Sequence, residues 1–368
     1  MTAVLSPRAL DRATLARQLL LDRAEMEPLA AVEHLVGMQA QVPTDPYTGL
    51  WSRVRSFDPF ELGHAIRERA AVRGPLMRGT LHLVSANDML RLRPVVQPVL
   101  ERAFASSPFI RSLDGVDLEA VAAAGRAILD ERPRTRVELG ASLGERWPGV
   151  DEEPLAYSIT FRLPVVQVPP RGVWGERGQA TWATAEGWLG EPLADPDVDD
   201  MVRRYLGGFG PASVMDAQAW CGLTKLGASF ERLRPELRVF ADEAGRELFD
   251  LHDAPRPDPD TPAPVRFLPE YDNLLLAHAD RTRVVADDFR RRFTAGETRN
   301  RGTVLVDGTV RCLWGIEREG DTSSLTVEPI GRLSKTDVAA VQAEGLDLLS
   351  FLSPETSERH IRIEPSSR

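Results

Sequence analysis

"RGPLMRGTLHLVS", residues 73–85, decides how the chain is read. Two short apolar runs flank Met77-Arg78, and Gly74, Pro75 and Gly79 supply the bends between and beside them, so the segment reads as a two-stranded ribbon. The stretches before it have helical periodicity. "DRATLARQLLLDR" places Leu15 and Leu19 one turn apart, and "EPLAAVEHLVGMQ" places Leu29, Val32, Leu35 and Val36 on one side. "DPFELGHAIRER" opens with Asp58 as a cap and Pro59 in the first turn. Helices followed by a two-stranded ribbon are the layout of a winged helix.

The layout recurs twice. "DLEAVAAAGRAILDERPR" reads as a helix stopped by Pro133, "TRVELGASLGERW" as a second capped by Thr135, and "PLAYSITFRL" as a third. The ribbon "PVVQVPPRGVWG" follows, with Pro169 and Pro170 at its turn. A third round has a helix near 200–206, another in "PASVMDAQAW", a third capped by Thr224, and the ribbon "LRVFADEAGRELFDL". "DAPRPDPDTPAP" marks a boundary near residue 260. Beyond it come strands, a turn at Asp307-Gly308 and the amphipathic helix "SKTDVAAVQAEGLDLLSFL". The expected fold is therefore α+β: three tandem winged helix-turn-helix motifs over 1–110, 111–195 and 196–260, then a C-terminal β-rich subdomain over 261–368.

Composition narrows the function. The chain has 368 residues, 42% hydrophobic and 27% charged, an ordinary soluble globular balance. No run approaches the roughly 18 apolar residues of a membrane span. Pro7 and Arg8 break the N-terminal apolar stretch, which argues against a secretory signal. Cys221 and Cys312 fit a reduced cytoplasmic protein and form no metal set. A net charge of −10 argues at first against nucleic acid, but residues 151–260 hold 20 acids against 11 bases, while residues 1–110 hold 13 bases against 11 acids. A neutral-to-basic face remains available. Only Lys225 and Lys335 are lysines among 45 basic residues, so an amine nucleophile has just two candidates.

The sequence has no phosphate-loop motif, no G-x-G-x-x-G after a strand, no G-x-S-x-G elbow, no H-E-x-x-H and no Cys-x-x-Cys. ATPase, dehydrogenase, serine hydrolase and zinc-enzyme readings recede. What stands out is "GMQAQVPTDPYTGLW", residues 37–51, where Gln39 and Gln41 leave an apolar helix just ahead of Pro43, Asp45 and Pro46. Two amides at that spacing could cap the helix end, or they could converge on one spot where the chain is no longer helical.

"VGMQAQVPTDPYTGLWSRV", "MRGTLHLVS" and "FLPEYDNLLLAHADRTRV" resemble, in that order, marker segments of the AlkZ-like winged-helix DNA glycosylases, a bacterial family that includes enzymes unhooking interstrand crosslinks. The resemblance covers nearly the whole chain, and "QAQ" matches the family's catalytic Gln-x-Gln motif. It implies a monofunctional, cofactor-independent enzyme that is monomeric and cytoplasmic, with no metal. Its partner would be double-stranded DNA carrying alkylated purines or crosslinks, and its role self-resistance to a DNA-alkylating natural product. An N7-alkylated purine is already cationic and leaves without protonation. The enzyme then needs mainly to place a water and offer the oxocarbenium-like sugar a partial negative charge, which a glutamine carbonyl can do.

Gln39 and Gln41 are thus the catalytic candidates, with Asp45 and Asp272 as assisting carboxylates. Arg78, His82, Arg171, Lys225, Arg281 and Arg283 are candidates for contacting DNA; solvated surface positions would explain them as well. Tyr271-Asp272-Asn273 reads either as functional or as a buried polar network joining the β part to the helices. Trp174 reads as a stacking residue or as core. The rival class is a non-catalytic winged-helix DNA-binding regulator, which would usually be a dimer on paired half-sites.

Overall fold

The computed structural model describes residues 3–286 and 301–365. Helices precede a hairpin in each of the three expected segments, giving a mixed α+β architecture. In the first, helices Pro7–Arg17, Pro28–His34, Asp45–Trp51 and Pro59–Arg67 lead to strands Ala71–Pro75 and Leu81–Ser85. In the second, Leu118–Glu131, Arg136–Gly144 and Glu152–Arg162 lead to Val165–Gln167 and Thr181–Thr184. In the third, Val198–Phe209, Val214–Cys221 and Gly227–Leu233 lead to Leu237–Asp242 and Glu247–Leu251.

Local chemistry explains most boundaries. Asp58 accepts from the Phe60 amide ahead of Pro59, and Thr135 forms a reciprocal capping box with Glu138. Asp307 and Gly308, both at positive φ, make the tight turn between Gly302–Val306 and Thr309–Glu319. Three readings are corrected, and one helix went unread. The second ribbon's return strand is "TWAT", since residues 168–180 form a loop around Pro169-Pro170. Leu226, in place of Thr224, precedes the helix Gly227–Leu233. The 20-residue helix Ala86–Ala105 was not anticipated, because Pro94 and Pro98 interrupt its sequence pattern. The helix expected through residue 39 ends at His34.

The segments are interlocked. The first two hairpins share one six-stranded sheet, joined where Arg73 pairs with Gln167, with Met38–Gln39 on one edge and Arg134–Thr135 on the other. Val4–Leu5 pairs in parallel with Leu237–Asp242, so the N-terminus belongs to the third hairpin's sheet. Arg17 anchors it there through a buried ion pair with Asp250. Beyond residue 260, strands Arg266–Leu268, Gly302–Val306, Thr309–Glu319, Thr322–Pro329 and Glu358–Ile363 form a five-stranded sheet covered by helix Lys335–Leu352. Phe267, Val304, Leu325, Val327, Val341 and Leu348 fill the space between them. Among the described residues, no helix is long and apolar enough to cross a membrane.

Candidate active site around the glutamine pair

The chain reaches Gln39 by a sharp reversal. Val36 and Gly37 both take positive φ after helix Pro28–His34, and the Gly37 amide bonds back to the Val32 carbonyl at 2.9 Å. A Cβ on Gly37 would lie 2.6 Å from Val84 Cγ1, so only glycine fits this turn. Met38–Gln39 then pairs antiparallel with Leu81–Ser85, opposing Gln39 to His82, and the Ala40 amide continues the ladder to the Leu81 carbonyl at 2.7 Å. Gln39 therefore lies on an edge strand and Gln41 in the bend just beyond it, neither at a helix end.

The pair is unequal. Gln39 is 6% exposed, and its Oε1 accepts from Arg78 Nη2 at 2.7 Å. Gln41 is exposed, and its Oε1 accepts only a long 3.4 Å bond from the Leu81 amide among the bonds described. Arg73 steadies the backbone between them, donating to the carbonyls of Ala40 at 2.7 Å and Gln41 at 3.3 Å.

Asn273 grips the same turn from the C-terminal part. Its Oδ1 accepts from the Gln39 amide at 3.2 Å, and its Nδ2 donates to the Gly37 carbonyl at 2.7 Å. Asp272 accepts two bonds from Arg53, both 2.8 Å, and the two side chains are 2% and 1% exposed. Of the two readings of Tyr271-Asp272-Asn273, the buried network is the one seen for Asp272 and Asn273. Asp272 has both oxygens committed to a guanidinium, so the expectation that it assists as a base is corrected.

Asp45 is different. It opens helix Asp45–Trp51, and its Oδ2 is buried with no hydrogen-bond partner among the described residues. Burial pushes its carboxyl up to about 7, with the negative charges of Glu270 and Asp272 adding to the shift. Asp45 and Gln39 line one small cavity of about 10 Å³ together with Arg53, Asp272 and Asn273. Asp45 also lines a cleft of about 240 Å³ beside Val42, Glu270 and Trp314. Burial thus brings the Asp45 carboxyl, one of the two expected to assist, to where it can exchange a proton near neutral pH.

The DNA-contact candidates separate. His82 is fully buried, its Nδ1 3.0 Å from the Thr80 carbonyl, and burial followed by Arg78's charge holds it neutral by lowering it to about 3. A phosphate cannot reach it, which corrects that expectation. Arg78 turns inward to Gln39 Oε1 and the Trp220 carbonyl, so its partners here are protein atoms. Arg283 donates to Thr14 Oγ1 and the Pro211 carbonyl, and burial lowers its pKa. Arg171, half-buried, donates to the Gly178 carbonyl at 3.0 Å, and Arg281 is half-buried. Lys225 is exposed at a left-handed backbone position. Trp174 is core, packed between Tyr47 at 4.9 Å and Phe351 at 5.2 Å. Sequence reasoning missed Arg53 and Arg73; an arginine inside an apolar strand, and one directly after an apolar helix, were the available signals. Among the described residues, no group of three or more His, Cys, Asp or Glu side chains is placed to hold a metal.

Comparison with known proteins shows the family and the fold. The chain is 26% identical over 365 residues to the interstrand DNA cross-link repair glycosylase of Streptomyces sahachiroi, covering 89% of this chain and 91% of that protein. The solved structure of Streptomyces sahachiroi DNA glycosylase AlkZ shares the fold, with a TM-score of 0.75 and 22% identity over 98% of this chain and all of the other. The profile of the family described as DNA glycosylase AlkZ-like matches residues 32–351, and the chain belongs to that family.

Proposed function

We propose that this protein hydrolyses the N-glycosidic bond of N7-alkylated purines in double-stranded DNA, including each end of an interstrand crosslink, leaving abasic sites. The observation that carries this is the glutamine pair. Two neutral amides leave the sheet edge together, Gln39 within the edge strand and Gln41 two residues on, held by Arg73, Arg78 and Asn273. A cationic purine is already a good leaving group, so the site must position water and stabilise a positive sugar, and amides suffice for that. A carboxylate base would add typically about 10²–10⁴-fold and extend the range to stable bases; the pair itself supplies none. The substrates are therefore labile, cationic adducts.

The mechanism uses water and no Schiff base, in keeping with the two lysines at 225 and 335, and so is monofunctional. A crosslinked base is tethered to the opposite strand and cannot enter a deep pocket. An edge strand beside an open cleft suits it better. On this reading the enzyme is a cytoplasmic monomer serving resistance to a DNA-alkylating natural product. The test is base release from duplexes carrying one N7-methylguanine or one N7-linked crosslink, read by alkaline cleavage. Release from both supports the proposal. Tight duplex binding without release, by a dimer, would support the regulator instead.

A further inference from the structure

Arg78 sits between strands Ala71–Pro75 and Leu81–Ser85 with φ 57° and ψ 11°, a left-handed backbone that a non-glycine residue holds only when its surroundings require it. Its guanidinium is turned inward, donating through Nη1 to the Trp220 carbonyl and through Nη2 to Gln39 Oε1 at 2.7 Å. One side chain thus ties the hairpin, the third helical segment and the glutamine together. Burial lowers Arg78 to about 10, which leaves it charged at neutral pH.

A guanidinium has donors and no acceptor, so the Gln39 atom that meets it must be the oxygen. The amide orientation is then fixed by chemistry, with the NH₂ group pointing away from Arg78. An oxygen already engaged by a cation is a poor partner for a developing positive sugar and a weak acceptor for a water's proton. Gln41 has no such cation on it among the described bonds; its oxygen takes one long bond and the side chain is exposed.

We propose that Arg78 is a positioning residue that fixes Gln39 as a hydrogen-bond donor, so that the two glutamines divide the work: Gln39 gives N–H bonds to an oxygen of the target nucleotide, and Gln41 offers its carbonyl to the water. This rests on the pair being the reaction machinery proposed above. The two amides are then not interchangeable, although the sequence repeats the same residue.

The test uses single-turnover release of N7-methylguanine by the full chain, with duplex affinity measured across salt concentrations. Arg78→Met should lower the rate by about 10²-fold, as for loss of an oriented donor, with duplex affinity and its salt slope unchanged. Arg78→Lys should recover part of the rate, because an ammonium can still give Oε1 one bond. Gln39→Glu should be as impaired as Gln39→Ala, since the carboxylate pairs with Arg78 and brings no donor. If Arg78→Met weakens binding and reduces the salt slope by about 1 at an undiminished rate, Arg78 is a phosphate contact and the proposal fails. Full activity in Gln39→Glu would also overturn it. A readout independent of turnover is the side-chain amide resonance of Gln39, which should shift in Arg78→Met; an unchanged resonance would refute the clamp. No release by wild type would defeat the division of labour together with the glycosylase reading, while a shifted resonance would leave the clamp standing.

Discussion

Asp45 and Asp272 line the same small cavity as Gln39, yet their environments are opposite. Asp272 meets Arg53 through two 2.8 Å bonds and also caps the turn at Asn273–Leu276. Asp45 has a buried oxygen without a hydrogen-bond partner among the described residues, and other carboxylates for neighbours. A carboxylate near a reaction centre can therefore be a structural rivet or a proton-exchanging group, and the presence of a guanidinium decides which. The sequence, which offers both as Asp beside Pro or Asn, cannot separate them.

Breaking the rivet should have the largest effect. Asp272→Ala leaves the Arg53 guanidinium buried without its counter-ion, which costs about 3–5 kcal/mol. Chemical denaturation should show it, and catalysis should fall only through loss of folded protein. If Asp272→Ala folds normally but is inactive, the comparison is wrong and Asp272 belongs to the chemistry.

Asp45 should show itself through pH. Its folded pKa of about 7 lies above the unfolded value of about 3.9, so between these limits the native state holds a proton that the unfolded chain has released. Its contribution to stability is present in acid and is lost as pH rises through 7, by at most about 4 kcal/mol at 1.36 kcal/mol per pH unit. Asp11 is also pushed up to about 7 by burial, so wild type alone would mix the two. The comparison to make is Asp45→Asn against wild type. The variant should be the more stable at pH 8, with the difference vanishing near pH 4. A difference independent of pH would remove the buried ionisation from Asp45.

The turn that presents the pair is next. Gly37→Ala puts a methyl group 2.6 Å from Val84 Cγ1 at a φ of +88°, and overpacking of this kind costs about 1–3 kcal/mol. It should slow base release beyond its effect on folding, because strand Met38–Gln39 must shift. The smallest effect is at Lys225, which is exposed. Lys225→Ala should alter stability by less than about 0.5 kcal/mol, and should lower the salt slope of duplex binding by about 1 if the ammonium meets a phosphate.

The segments with strong local signals were legible. The Asp58 and Thr135 caps, the Asp307-Gly308 turn, the hairpins at 71–85 and 237–251 and the helix Lys335–Leu352 follow from residues adjacent in sequence. The long helix Ala86–Ala105 was missed because its prolines argue locally against it while tertiary packing favours it. The sharing of one sheet by two hairpins was also hidden, since it depends on pairing between Arg73 and Gln167. At the site, Gln39 and Gln41 were visible as an odd pair, but the strand setting of Gln39 was not, because it depends on the reversal at Val36-Gly37 and on Asn273, 234 residues away. Arg78 and His82 looked like surface residues of a ribbon; burial under the third segment and the Gln39 strand gives them inward roles.

The central claim is that the glutamine pair carries the hydrolysis. Its most direct test is single-turnover release of N7-methylguanine by wild type and by the Gln39→Ala, Gln41→Ala double variant, with melting temperature and duplex affinity measured on both. The account predicts release by wild type and a fall of at least about 10²-fold in the variant, with folding and binding intact. Undiminished release by the double variant would contradict it and transfer the chemistry to Asp45.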